Sequence, residues 1–137
     1  MRTFFDSSAF AKRYVNEEGS NLVELLCADA AALALSVICV PEIISALNRR
    51  VREGVLSRRQ YREVKVRLSA EVTDAIVVNL VPAVVAEAVR VLETNAVRTS
   101  DALHIACALQ WHAELFVSSD DRQLLAAQGV GLSTKKV

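Results

Sequence analysis

The chain has 137 residues, suited to one domain around a single core, and 53% of them are hydrophobic, enough to fill it. No apolar run reaches the roughly 18 to 20 residues that span a bilayer, and the start MRTFFDSS lacks the apolar stretch and small-residue cleavage site of a secretory signal, so the cytoplasm is the expected compartment. Sixteen Lys and Arg balance sixteen Asp and Glu, which excludes a globally basic nucleic-acid binder.

In chain order, short β-like runs alternate with helical stretches. Thr3 to Phe5 reads as a strand, and Asp6 follows it directly. Ser7 or Ser8 can then cap a helix to about Tyr14, and Gly19 with Ser20 opens a second helix to about Ala28. Ala32 to Ser36 is the second strand, although alanine is a poor strand former. Pro41 suits the first position of a third helix, with Gly54 just past its end. Ser57 with Gln60 three residues on reads as a capping box for a fourth helix to about Ala70. Ala75 to Leu80 is the third strand, and Pro82 starts a fifth helix that ends near Thr94. Asp101 opens the sixth helix, Leu115 to Ser118 is a strand, and Asp121 to Gln128 is a helix closed by Gly129. Val130 to Leu132 reads as a short last strand.

Strands alternating with helices imply an α/β protein with a mostly parallel central sheet, flanked by helices on both faces, in one domain over residues 1–137. In such a sheet the strand C-termini and the helix N-termini share one edge, and ligands bind in the crevice there.

Three cysteines, Cys27, Cys39 and Cys107, form no CxxC pair and are odd in number, which argues for buried thiols over a disulfide framework or a zinc site. His104 and His112 show no metal-binding spacing and read as structural or surface residues. The charge, although balanced, is unevenly placed. Eight of the sixteen basic residues fall between Arg49 and Arg67: Arg49, Arg50, Arg52, Arg58, Arg59, Arg62, Lys65 and Arg67. Only Glu53 and Glu63 oppose them, so the patch is either a solvated pair of helix faces or a surface for a phosphate backbone.

The acids carry the chemistry. Asp6 follows the first strand, Glu42 follows Pro41 at the start of the third helix, Asp101 opens the sixth, and Asp120 lies between LFVSS and the seventh. Each alone has an ordinary reading, because an acid in a first turn offsets the helix dipole by a few tenths to about 1 kcal/mol. Together they fall on one edge of the sheet. Carboxylates crowded in one place repel and raise one another's pKa unless a cation neutralises them. Oxygen ligands without thiol or imidazole suit Mg2+ or Mn2+ rather than Zn2+, and such an ion activates water toward phosphorus with no side-chain nucleophile. None is needed here, since the chain has no GxSxG and no P-loop.

With DSSAFAKRY, PEIISAL, RTSDALHIACAL and FVSSDDRQLLAA in order, essentially the whole chain resembles a PIN-domain ribonuclease of the VapC toxin type, from toxin–antitoxin pairs. That resemblance implies a metal-dependent endoribonuclease whose acidic site maps to Asp6, Glu42, Asp101 and Asp120, with Mg2+ as cofactor and Mn2+ as substitute. It implies polar support from Ser8, with Ser7 as an alternative, and from Ser118. Asp120 is favoured over Asp121 as the fourth acid, leaving Asp121 in the first helical turn. The same resemblance implies a VapB-type antitoxin lying across the third and fourth helices, an RNA substrate, and self-association into a homodimer. Arg49, Arg50, Arg58, Arg59 and Arg62 would supply the RNA or antitoxin surface.

Other classes fit less well. A haloacid-dehalogenase-type phosphatase needs a second Asp two residues after the first, and that position is Ser8. A receiver domain needs paired acids near the first strand and a Lys after the last, neither present in suitable form. A PIN fold that processes RNA without an antitoxin, or one that only binds RNA or protein, remains as the alternative.

Overall fold

A computed structural model describes all residues, 1–137. Its elements in chain order are β1 (Arg2–Phe5), α1 (Ser7–Phe10) with a 3-10 turn at Ala11–Arg13, α2 (Ser20–Asp29), β2 (Ala32–Ser36), α3 (Cys39–Arg52) and α4 (Arg58–Thr73). They continue with β3 (Ile76–Val78), α5 (Pro82–Thr94), α6 (Thr99–Gln110), β4 (Leu115–Ser118), α7 (Asp121–Gly129) and β5 (Thr134–Lys136). The five strands form one sheet in the order β3-β2-β1-β4-β5, and every pairing is parallel.

Alternation along the central strands divides the core in two. Phe4, Ala34 and Phe116 face one side and pack with Val84, Val91, Ile105 and Ala127 from α5, α6 and α7. Phe5, Leu35 and Val117, their immediate neighbours in sequence, face the other side and pack with Phe10, Val23, Ile43 and Leu68 from α1 to α4. Strands buried on both faces need apolar residues at every position, which is why TFF, ALAL and LFV read as unbroken runs.

The register brings Phe5 beside Leu35 and Val117, so the three central strands end side by side. After β1 the chain crosses to β2 and β3 on one side, and β4 and β5 extend the sheet on the other. The order therefore reverses between β1 and β4, the place where parallel sheets open a crevice beyond their strand ends.

Several boundaries differ from the sequence reading. Asp6, not Ser7 or Ser8, is the N-cap of α1, its carboxylate accepting from the Ala9 N–H. The segment to Tyr14 is one α-turn followed by a 3-10 turn rather than a single helix. Helix α3 begins at Cys39, so Pro41 stands third in it, where a missing N–H still costs nothing. The third strand is shorter than its apolar run, Ile76–Val78 instead of Ala75 to Leu80.

The last strand lies at Thr134–Lys136, paired with β4, and Val130 to Leu132 instead closes α7. There Leu132 N–H bonds the Ala127 carbonyl and Gly131 N–H the Gln128 carbonyl, with Gly131 at φ 95° supplying the left-handed turn. Helix α6 ends the same way, through Ala113 N–H to Ala108 and His112 N–H to Leu109, but with His112 at φ 59° in the glycine position. That gives His112 a structural place in the chain reversal after α6. Apolar residues at a helix end were thus mistaken for a strand because both positions bury them.

Candidate active site

Asp6 stands at the end of the central strand, 3% exposed. Its Oδ1 accepts from the Ala9 N–H at 2.8 Å, and the Ser8 hydroxyl lies 2.8 Å from both carboxylate oxygens. The Ser118 hydroxyl, from the end of β4, lies 2.8 Å from Oδ2. Burial pushes the Asp6 carboxyl above its ordinary value, opposed by the nearby His104 and by bonds from Ala9, Ser118 and Ser8. No Lys or Arg pairs with it.

Glu42 lies in the first turn of α3, half-buried. Its Oε1 receives the Ser7 hydroxyl at 2.7 Å and lies 2.5 Å from His104 Nε2. Burial by itself would raise this carboxyl, but the hydrogen bond and charge of His104, with Ser7 and Arg98, hold it below its ordinary value.

Asp101 is the third residue of α6 and is buried. Its Oδ2 sits 3.4 Å from both the Arg98 backbone N–H and the Arg98 guanidinium. Asp120 caps α7, accepting from the N–H groups of Arg122 at 2.9 Å and Gln123 at 3.2 Å. Asp121 is an exposed first-turn acid paired with Lys136 at 2.8 Å. A cleft of about 620 Å³ runs between the Arg98–Asp101 turn and Asp120–Arg122.

Behind the cleft the acids are tied together by buried polar groups. Ser118 Oγ lies 3.1 Å from Gln123 Oε1, and Gln123 Nε2 donates to the Asp101 carbonyl at 3.2 Å, so one fully buried amide links β4, α6 and α7. The Ser119 N–H donates to Ser8 Oγ, and the Asp120 N–H to Ser118 Oγ. The two serines foreseen as polar support, Ser8 and Ser118, thus meet on Asp6.

Three participants escaped the sequence reading. Ser7 was weighed only as an alternative to Ser8, yet it bonds Glu42. His104, read as structural or surface, is 2% exposed and joins Glu42 to α6. Its position three residues after Asp101, on the same helical face, was the available signal. Gln123 gave none beyond being polar in an otherwise apolar stretch.

The donor set is carboxylate and hydroxyl oxygen. Cys39 lies close by, but burial pushes its thiol up to about 12, which keeps it protonated. No three acidic, histidine or cysteine side chains converge into a ready ligand sphere. Asp101 and Asp120 share the cleft, whereas Asp6 and Glu42 are held by serines. Oxygen donors of this kind are chemically suited to a hard divalent ion such as Mg2+, which prefers carboxylates and water, rather than to a soft one.

The basic residues between Arg49 and Arg67 divide. Arg67 is engaged with Glu24 and Glu71, and Arg59 with Glu63. Arg49, Arg50, Arg52, Arg58 and Arg62, on α3 and α4, pair with no carboxylate.

A five-stranded parallel sheet with helices on both faces and four acids along its C-terminal edge defines the class, an α/β domain with an acidic edge site. The PIN domain model matches residues 3–128, and the chain belongs to that family. Among solved structures it is similar to VapC20 of Mycobacterium tuberculosis, a sarcin-ricin loop cleaving toxin, with TM-score 0.72, 18% identity, and 98% of this chain and 99% of that one covered. FitAcB from Neisseria gonorrhoeae matches with TM-score 0.71 and 14% identity, over 96% of this chain and 95% of that one. VapBC2 from Rickettsia felis, bound to a promoter DNA fragment, matches with TM-score 0.70 and 12% identity, over 100% and 99%. No curated protein sequence matches.

Proposed function

We propose that this protein is a Mg2+- or Mn2+-dependent endoribonuclease and the toxin of a type II toxin–antitoxin pair. The observation that carries the reading is Asp6, a buried carboxylate without a cationic partner at the reversal point of a PIN-family sheet. The fold shared with VapC20 and with toxin–antitoxin complexes supports it.

Asp6, Glu42, Asp101 and Asp120 would hold the ion, directly or through water. When bound, such an ion lowers the pKa of a water and offsets charge on the leaving oxygen of the phosphodiester. Ser8 and Ser118 hold Asp6 in one orientation. The unpaired Arg49, Arg50, Arg58 and Arg62, with Arg59, form a surface for RNA phosphates or for an acidic segment of a VapB-type antitoxin. A homodimer is supported by exposed apolar residues, Val85, Val89 and Leu92 on α5, Val81 at its N-cap, and Ile76 and Val77 of the edge strand. No helix is long and apolar enough to cross a membrane, and the toxin would meet its RNA in the cytoplasm.

The test is incubation of antitoxin-free protein with a labelled total-RNA pool, in Mg2+, in Mn2+, in EDTA, and with Asp6→Asn alongside. Discrete products that need metal and vanish in the variant are expected. RNA bound but uncut in either metal would replace this reading with a binding module. Cleavage by a chain with no antitoxin gene beside its own would favour an RNA-processing nuclease.

A further inference from the structure

His104 is buried in the core, its ring edge-on to Phe4 at 6.5 Å, yet its two nitrogens live differently. Nδ1 is buried with no hydrogen-bond partner. Nε2 reaches Glu42 Oε1 at 2.5 Å, with Ser7 Oγ 3.2 Å away. Nδ1 meets no polar partner, so the ring's polar link is through Nε2. In the neutral and the charged ring alike, the proton on Nε2 faces the carboxylate and is donated to Glu42 Oε1.

Two donors from separate elements, Ser7 on α1 and His104 on α6, therefore converge on the same oxygen of a residue on α3. The other oxygen, Oε2, has no protein partner. We propose that His104 is a positioning residue. With Ser7 it clamps Oε1 of Glu42, fixes the side-chain rotamer, and presents Oε2 alone as a single-oxygen ligand for a divalent cation. A glutamate held by neither donor would sample several rotamers, and the entropy lost in ordering it would weaken ion binding. This rests on the proposed metal-dependent reading of the site.

The geometry makes a sharp distinction between two amides. A glutamine at 104 carries its N–H₂ about where Nε2 stands, whereas an asparagine's amide ends near Nδ1, too short to reach Glu42. The experiment titrates full-length wild type, His104→Gln, His104→Asn, His104→Leu and Ser7→Ala with Mn2+ alone, following free Mn2+ by electron paramagnetic resonance, with thermal melting of each. Wild type and His104→Gln are expected to bind within about threefold of each other. His104→Asn and His104→Leu should bind at least tenfold more weakly, the usual cost of losing a residue that orients a metal ligand. Ser7→Ala, which leaves the core untouched, should weaken binding in the same direction and keeps the test alive if His104→Leu does not fold.

Equal Mn2+ affinity in all folded variants would reduce His104 to core filling, as would rescue by asparagine and not by glutamine. Wild type that binds no Mn2+ would overturn the metal reading itself, and this inference with it. Wild type that binds Mn2+ but cuts no RNA would leave the clamp standing and remove the nuclease.

Discussion

Two polar networks, one between the turn after α1 and helices α2 and α4 and one at the ends of the central strands, are built on opposite principles. Beyond α1, Arg13 meets Glu24 at 3.2 Å and Glu71 at 3.1 Å, and Arg67 meets Glu71 at 2.9 Å and Glu24 at 3.4 Å. Tyr14 adds its hydroxyl to Glu71, and Arg13, Glu24 and Glu71 line a cavity of about 360 Å³ between α2 and α4. Each carboxylate there has a guanidinium, and the charges cancel. At the strand ends, by contrast, Asp6 is satisfied by hydroxyls and one backbone N–H, and Asp120 by backbone N–H groups alone. Hydrogen bonds meet the geometry of these acids but leave their charge standing. The difference separates a network of neutralised charges that holds α4 to the body from one whose carboxylates keep their charge, as the proposed metal-dependent function requires.

The strongest way to break the contrast is Asp6→Asn. Cleavage should fall more than about 100-fold, since on the proposed function Asp6 supplies charge that would hold the ion. Folding should not suffer. The Asp6 carboxyl is raised in the folded state, so the folded protein binds more protons there than the unfolded chain, and stability is lost as pH rises from the unfolded value toward the folded one. In metal-free buffer the variant should therefore match or exceed wild type at neutral pH, with the advantage disappearing below the ordinary aspartate value of 3.8. Urea unfolding across pH measures it, and a variant less stable at every pH would refute the uncompensated charge.

Ser118→Ala tests the neutral partners. Its hydroxyl serves Asp6, Gln123 and the Asp120 N–H, so about tenfold lower cleavage and about 1 kcal/mol of stability should go together. The opposite network should show the reverse pattern. Arg13→Gln strands Glu24 and Glu71 and should cost about 1–2 kcal/mol in urea unfolding, discounted for partial exposure, while cleavage stays unchanged. A loss of cleavage at constant stability would erase the distinction between the two regions.

Smaller effects sharpen it further. Reversing charge at Arg58 and Arg59 should lower the slope of log affinity for RNA against log salt by about one to two units, with melting unaffected. Unchanged slopes would make the patch a solvated face. Glu63→Gln removes only the exposed pair with Arg59, whose side chains are 84% and 66% exposed, and should shift stability by no more than about 0.5 kcal/mol.

Much of this was legible beforehand because the signals were local. Strands buried on both faces must be apolar throughout, which made TFF, ALAL and LFV visible; the Ser57–Gln60 capping box lies within one turn and formed as read. The same locality explains the errors. Val130 and Leu132 are apolar because they close a helix, and TKK carries no strand pattern because β5 is an edge with two of three residues exposed.

What the sequence determined by itself was the placing of acids at strand ends and helix starts, from which a parallel sheet delivers them to one edge. What it left open was everything decided between elements. Ser7, Glu42 and His104 are separated by 35 to 97 positions, Ser118 reaches Asp6 across 112, and Gln123 finds the Asp101 carbonyl across the α6–α7 contact. Side-chain hydrogen bonds depend on angstrom-scale distances that only packed helices and paired strands fix, so which acid is clamped, and by which neighbour, was settled by tertiary structure alone.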